Sequence, residues 1–328
     1  MTNNKILITG GAGMIGSHLI DELLKDNKNC QIIILDDFSV GSRNNVPSAT
    51  NIKVVDSNVL DSILLDNLVE QVDIVYHLAT LKKGSDADSS LPTLDTIVGS
   101  ARVVLEACLK HSVRLVLAST SDVYGYGVKL PFLEDDPISI GPFNSRRWAY
   151  AVAKLYTEQL TNEFVKMGLD ARIIRYFGGF SERSSFTWRG GHVPKFAYNA
   201  YTGIDIEIHG DGLQTRCVTH GSDLAKGTLL VGKKEGITGE VFNIGSEEEL
   251  TVVEAAKRVL LQFPDSKTSI KHIDTEEVFG KYREIQRRRP NLTKAKEILG
   301  YKPSLTFNQG INILLKHLEK NVIKENSV

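Results

Sequence analysis

Residues 5–25 read KILITGGAGMIGSHLIDELLK. The opening KILITG is short and rich in Ile and Leu, as suits a strand buried on both faces. MIGSHLIDELLK has the spacing of an amphipathic helix. Between them fall Gly10, Gly13 and Gly16. The first glycine permits a tight turn, the second lets a pyrophosphate approach the backbone, and the third allows close packing of helix on strand. The free N–H groups of the helix N-terminus favour phosphate. A second run, QIIILDD (31–37), brings Asp36 about twenty residues beyond Gly16, the usual interval for a ribose-binding acid. Its carboxylate can accept from both ribose hydroxyls and would repel a 2′-phosphate, so NAD is expected rather than NADP. The bland alternative is an aspartate that only caps its strand, and Arg43 nearby could tolerate an extra phosphate.

Working outward, IKVVDS (52–57), DIVYHLA (73–79), RLVLAST (114–120) and ARIIRYF (171–177) repeat the strand signal. Stretches such as SARVVLEACLKH and WAYAVAKLYTEQLTNEFV are long enough to be crossover helices. This alternation predicts an α/β fold, a Rossmann-type doubly wound parallel sheet whose ligands sit beyond the carboxyl ends of the strands. Residues 1–175 are expected to form the dinucleotide domain, joined by a late strand near 238–245. Residues 176–328 are expected to form mainly a smaller substrate domain. FGGFSERSSFTWRGGH reads as a substrate-facing loop or lid, in which Phe186, Trp188, Arg189 and His192 could line a pocket. ELTVVEAAKRVLLQF and LTFNQGINILLKHLEK read as helices.

The chain has 328 residues, 41% hydrophobic and 24% charged, with a formal net charge of -1, which allows ample core and argues against nucleic-acid or anionic-membrane binding. QRRRP at 286–290 is the local exception, either a solvated turn or an anion contact. Cys30, Cys108 and Cys217 lie far apart, with neither disulfide-framework nor metal spacing, and no metal site is expected. The N-terminus lacks a signal-peptide pattern and no apolar run reaches membrane-spanning length, so a cytoplasmic location is expected.

Tyr150 and Lys154, in YAVAK, share one helix face a turn apart. An ammonium beside a phenol is expected to lower the phenol pKa and make Tyr150 a general base. ASTSDVYG (118–125) closes the fifth strand with Thr120, Ser121 and Asp122. Thr120 can bond the hydroxyl that Tyr150 deprotonates, and Asp122 is either a further acid–base group or a turn cap.

Together TGGAGMIG, LDDFSVGS, YHLAT, ASTSDVYG, YAVAK, RYFGGF, GDGLQTR and KAKEILGYKP resemble the extended short-chain dehydrogenase/reductase family, in particular its nucleotide-sugar epimerases, dehydratases and decarboxylases. The resemblance covers nearly the whole chain. It implies a tightly held NAD, a nucleoside-diphosphate sugar substrate (most often UDP-linked) and a homodimer packed through two helices of each subunit. By position, Thr120, Tyr150 and Lys154 match the catalytic set. Met14, Ile15, Asp37, Asn58, Val59, Leu78, Ala79 and Lys82 fall with the cofactor contacts. Ser121, Gly178, Arg216 and His192 fall with the substrate contacts, Arg216 as a diphosphate clamp. The chain departs from the family pattern at Ser57-Asn58 and at FGGFSER, where Gly178 stands in place of a substrate-touching asparagine. Oxidation at sugar C4 is the shared first step, and 4-epimerisation is the favoured outcome. Decarboxylation of a uronate is the alternative, suggested by Asp122, RRWAY and QRRRP, and 4,6-dehydration is a third. A non-catalytic NAD-binding regulator is the alternative of a different class, and it would not need the Thr120, Tyr150 and Lys154 set.

Overall fold

The computed structural model describes residues 5–81, 89–142, 145–264, 266–274 and 284–325. The first half alternates as the sequence predicts. Strand β1 (Lys5–Thr9) leads into α1 (Met14–Asp26) and β2 (Gln31–Asp36). Then follow β3 (Ile52–Asp56), α2 (Ser62–Val69) and β4 (Ile74–His77). The unit closes with α3 (Leu91–His111), β5 (Arg114–Thr120), α4 (Ala149–Lys166) and β6 (Ala171–Tyr176). Helix α3 starts well before SARVVLEACLKH, with a proline in its first turn, where a missing N–H is harmless.

The later chain adds β7 (Gly179–Phe180), α5 (His192–Thr202), β8 (Ile206–His209), β9 (Thr215–Cys217) and β10 (Thr219–His220). Next come α6 (Gly221–Lys233), β11 (Val241–Ile244), β12 (Glu249–Thr251) and α7 (Val252–Leu260). The last elements are β13 (Ile270–Ile273), β14 (Arg287–Arg288), α8 (Thr293–Leu299) and α9 (Phe307–Glu325). The segment read as one helix from residue 249 is split. Residues 249–251 pair with β9, and Thr251 then starts α7 through a capping box with Glu254.

Among the described residues the main sheet runs β11-β6-β5-β4-β1-β2-β3, and every neighbouring pair is parallel. Strands β4 and β6 are buried along their whole length, whereas the edge strand β3 is largely accessible. Strand order reverses between β1 and β4, and that divergence opens a crevice at the carboxyl edge. Leu224, Leu229, Phe242, Ile244, Leu292 and Leu299 belong to the same core cluster as Ile6, Ile8, Ile34 and Val116. The chain therefore returns to the large sheet through α6, β11 and α8. A separate core joins α5, α7 and α9 through Phe196, Ala197, Ala256, Phe307, Ile311 and Leu314. No helix among the described residues is long and apolar enough to cross a membrane.

Candidate active site

A cleft of about 580 Å³ lies at the carboxyl ends of the central strands. One end is built by the β1–α1 turn. Gly10, Gly13, Met14, Ile15 and Gly16 all line it. Gly13 caps α1 without any side-chain bond, so the helix start presents its own N–H groups. At Gly16 a Cβ would come within 2.7 Å of Gly11 Cα, so only glycine lets the helix sit this close to the strand turn. Asp36 ends β2, with Oδ2 accepting from Ala12 N and Oδ1 from Phe38 N, both at 2.9 Å. Burial pushes its carboxyl upward, opposed by those two backbone bonds. Asp37 accepts from Asn58 Nδ2 at 3.2 Å, and Val59, Leu78 and Ala79 continue the wall. Arg43 points elsewhere, paired with Asp56 and resting on the Phe38 ring, and does not line the cleft. Lys82 lies outside the described residues. A free helix start, a side-chain-free approach and an acid at the second strand end fit a dinucleotide with an unsubstituted ribose.

The other end carries the reactive groups. Thr120 ends β5, and Ser121 and Asp122 follow in a short 3-10 turn; all three face the cleft. Thr120 Oγ1 accepts from Asp122 N at 3.2 Å, so it closes the turn while still facing the cavity. Tyr150 and Lys154 reach the same cleft from α4. One expectation is reversed. Burial, and after it the negative charge of Asp122, hold the Tyr150 phenol above its ordinary pKa, against bonds from Thr80 and Thr120. Lys154 Nζ instead donates to Ala118 O at 2.8 Å, and burial lowers its pKa to about 8 although Glu158 pulls the other way.

Asp122 is more than a turn cap. It is 2% exposed and meets Arg147 Nη2 at 3.2 Å and Arg288 Nη1 at 2.5 Å. Arg288 belongs to QRRRP, so one arginine of that patch enters the cleft and is no solvated surface residue. Its Nε and Nη2 are buried without a hydrogen-bond partner among the described residues. Burial lowers its pKa to about 10; Asp122 opposes this, while the nearby Arg216 and Arg147 add to it. Two guanidiniums thus share one carboxylate, and the free edge of Arg288 has the geometry of a two-point anion clamp.

Other expected substrate residues are arranged differently. Ser121 and Gly178 line the cleft. Gly178 adopts φ +36°, and a Cβ there would stand 2.5 Å from Cys217 O, so the asparagine of the family pattern is sterically barred. Arg216 is beside Arg288 across the β9–β14 pair but does not line the cleft. Its Nη1 donates to Thr215 O and Ile285 O, and its Nη2 to Glu284 at 2.7 Å. His192 also lies off the cleft wall, edge-on to Phe196, with its pKa lowered to about 4 by burial and by Arg216. From the 177–192 loop, Arg183, Ser184, Ser185 and Arg189 reach the wall, while Phe186 stacks on Tyr198 and Trp188 lies tilted against His209. Arg147 and Arg288 were visible only as motifs, RRWAY and QRRRP. Their meeting on Asp122 is a long-range contact that local spacing does not carry.

Comparison with known proteins places these features in context. The model of the NAD dependent epimerase/dehydratase family matches residues 6–245. The chain is 36% identical over 310 residues to a UDP-N-acetyl-alpha-D-glucosaminuronate decarboxylase of Bacillus cytotoxicus, covering 94% of this chain and 95% of that protein. It is 31% identical over 324 residues to UDP-glucuronic acid decarboxylase 4 of Arabidopsis thaliana, covering 97% and 69%. Among solved structures, UDP-glucuronic acid 4-epimerase from Bacillus cereus, in complex with UDP-glucuronic acid and NAD, superposes with a TM-score of 0.85 at 26% identity, covering 96% and 99%.

Proposed function

Because the chain belongs to the NAD-dependent epimerase/dehydratase family and is an NAD-dependent enzyme of it, we propose that it decarboxylates a UDP-linked uronate. The reading moves from the favoured 4-epimerisation to its alternative. One observation carries it: Arg288 lies in the cleft, next to Asp122, with Nε and Nη2 unpartnered among the described residues. A neutral hexose has no use for that fork, whereas a C6 carboxylate matches it. The similarity to two uronate decarboxylases supports the same choice.

NAD would be held by Gly10, Gly13, Gly16, Asp36, Asp37 and Asn58, and when bound supplies a hydride acceptor and a positive ring charge. With that ring charge offsetting the upward push of burial and Asp122 on its phenol, Tyr150 removes the proton of the C4 hydroxyl, steadied by Thr120, as that carbon is oxidised. Arg288 grips the C6 carboxylate. The resulting β-keto acid loses carbon dioxide, and the C5–C6 electron pair becomes an enolate on the C4 oxygen, held by Tyr150 and Thr120. Asp122 passes to C5 a proton taken up from solvent, replacing the lost carbon dioxide, and Tyr150 returns its proton to O4 as the hydride comes back. A pairing of two copies through α3 and α4 belongs to this reading, since Leu91, Val152 and Tyr156 leave apolar surface exposed there.

Incubation with UDP-N-acetylglucosaminuronate and UDP-glucuronate tests the proposal. Stoichiometric carbon dioxide and a UDP-pentose, with no net NADH, are expected. Recovery of the C4 epimer with its carboxylate intact would restore the epimerase reading.

A further inference from the structure

Three side chains from distant parts of the chain meet away from the reacting groups. His18 comes from α1, Glu182 from the loop after β7, and His220 from the residue that caps α6. One donor atom of each lies within 4.8 Å of the others. Glu182 Oε2 is 3.1 Å from His220 Nε2, and Oε1 is 3.6 Å from His18 Nε2.

A hydrogen-bonded triad explains only part of this. His220 is satisfied, with Nε2 against Glu182 and Nδ1 2.9 Å from Ser222 Oγ. His18 is 5% exposed, and its Nε2 is buried with no hydrogen-bond partner among the described residues. At 3.6 Å the carboxylate is too far for a bond. The buried His18 Nε2 thus faces Glu182 and His220 with no hydrogen-bond partner of its own among the described residues, an arrangement that a cation among the three would complete.

We propose that His18, Glu182 and His220 bind a divalent transition-metal ion of the zinc class. Bonds of about 2.0–2.2 Å in a tetrahedron put neighbouring donors roughly 3.3–3.6 Å apart, and the two carboxylate oxygens, one 3.1 Å from His220 Nε2 and the other 3.6 Å from His18 Nε2, lie near that spacing. Two imidazoles and one carboxylate favour zinc-like ions over calcium or magnesium, which take oxygen. With Nε2 on the metal, the His220 proton moves to Nδ1, which gives up the cap bond it accepts from Ser222 N at 3.3 Å and donates to Ser222 Oγ at 2.9 Å instead. Of the other charged groups beside the cluster, Arg183 pairs with Asp21 at 2.6 Å and also comes within 3.8 Å of Glu182 Oε1 through Nε, and His317 approaches Glu182 from α9. Arg183, Ser184 and Ser185, next along from Glu182, line the dinucleotide cleft, and α1 begins at it. The ion would therefore fasten two walls of that cleft to the start of α6. Its role is structural, and the proposal does not depend on which sugar is turned over.

The test uses untagged full-length protein carrying its NAD, treated with chelator, dialysed and titrated with Co²⁺ alone and then with Zn²⁺. One equivalent of Co²⁺ per chain is expected, with the visible absorption of a four-coordinate ion, displaced by Zn²⁺, which also raises the thermal midpoint. His18→Gln and Glu182→Gln should each weaken binding by at least about tenfold and abolish the thermal shift. Glu182 is the more accessible ligand, so Glu182→Gln remains informative if the His18 variant folds poorly, with retained NAD as the folding control. No saturable binding by wild type, or equal binding by wild type and both variants, overturns the proposal.

Discussion

Lys154 Nζ stands 2.8 Å from the carbonyl oxygen of Ala118, two residues before Thr120 on the same strand. The amine is buried, and its pKa of about 8 lies below the ordinary 10.5. Between those values the unfolded chain binds more protons than the folded one, so this group makes stability rise with pH in that window. From about pH 7.5 to about pH 9, wild type should gain about 1 kcal/mol over Lys154→Met in urea unfolding. A constant difference between the two proteins across that range would contradict the burial of a charged amine.

Asp122 and Tyr150 are coupled by charge. The carboxylate raises the phenol pKa, so Asp122→Asn should favour the phenolate and move the acid limb of kcat/KM to lower pH. Releasing Arg288 acts in the same direction. An unmoved limb would mean that Asp122 does not sense the base. Tyr150→Phe should lose about 10²- to 10⁴-fold in turnover while keeping its NAD.

Arg288→Lys separates charge from shape. Lysine keeps the cation but loses the Nε–Nη2 edge, so carbon dioxide release should fall about 10- to 100-fold. KM for the uronate should rise, and the inhibition constant of a neutral UDP-hexose should stay unchanged. Equal losses for charged and neutral ligands would point to a general packing defect.

Asp36 serves the fold and, in the proposed reading, the ribose as well. Asp36→Ala leaves Ala12 N and Phe38 N without their acceptor, at about 1–3 kcal/mol each if both stay dry. Purified variant should carry little NAD and discriminate less against NADP, read from the nucleotide released on denaturation. Full NAD retention would assign the ribose contact to Asp37 instead.

The main sheet was legible because strands such as IVYH and RLVLAST are buried on both faces and read as unbroken apolar runs. Strand β12 was not, since three residues next to a helix carry no period of their own. Tyr150 and Lys154 were legible as neighbours one helical turn apart. The sign of the phenol's shift was not, because it is set by burial and by Asp122, neither of which spacing reveals. Arg147 and Arg288 stood out as basic motifs, yet only the folded chain brings them to one carboxylate. The crowding of Gly178 against Cys217 O explains the missing asparagine, a reason that needs the opposing backbone to be seen.

The bond between Asp122 and Arg288 bears on selectivity. A neutral congener can occupy the same cavity, but it brings no anion to compete for the guanidinium, and the aspartate stays immobilised. Such a molecule would dwell as an inert occupant, a competitive inhibitor that is never consumed. Discrimination between acidic and neutral nucleotide sugars would then be seen in the rate of conversion as well as in the tightness of binding.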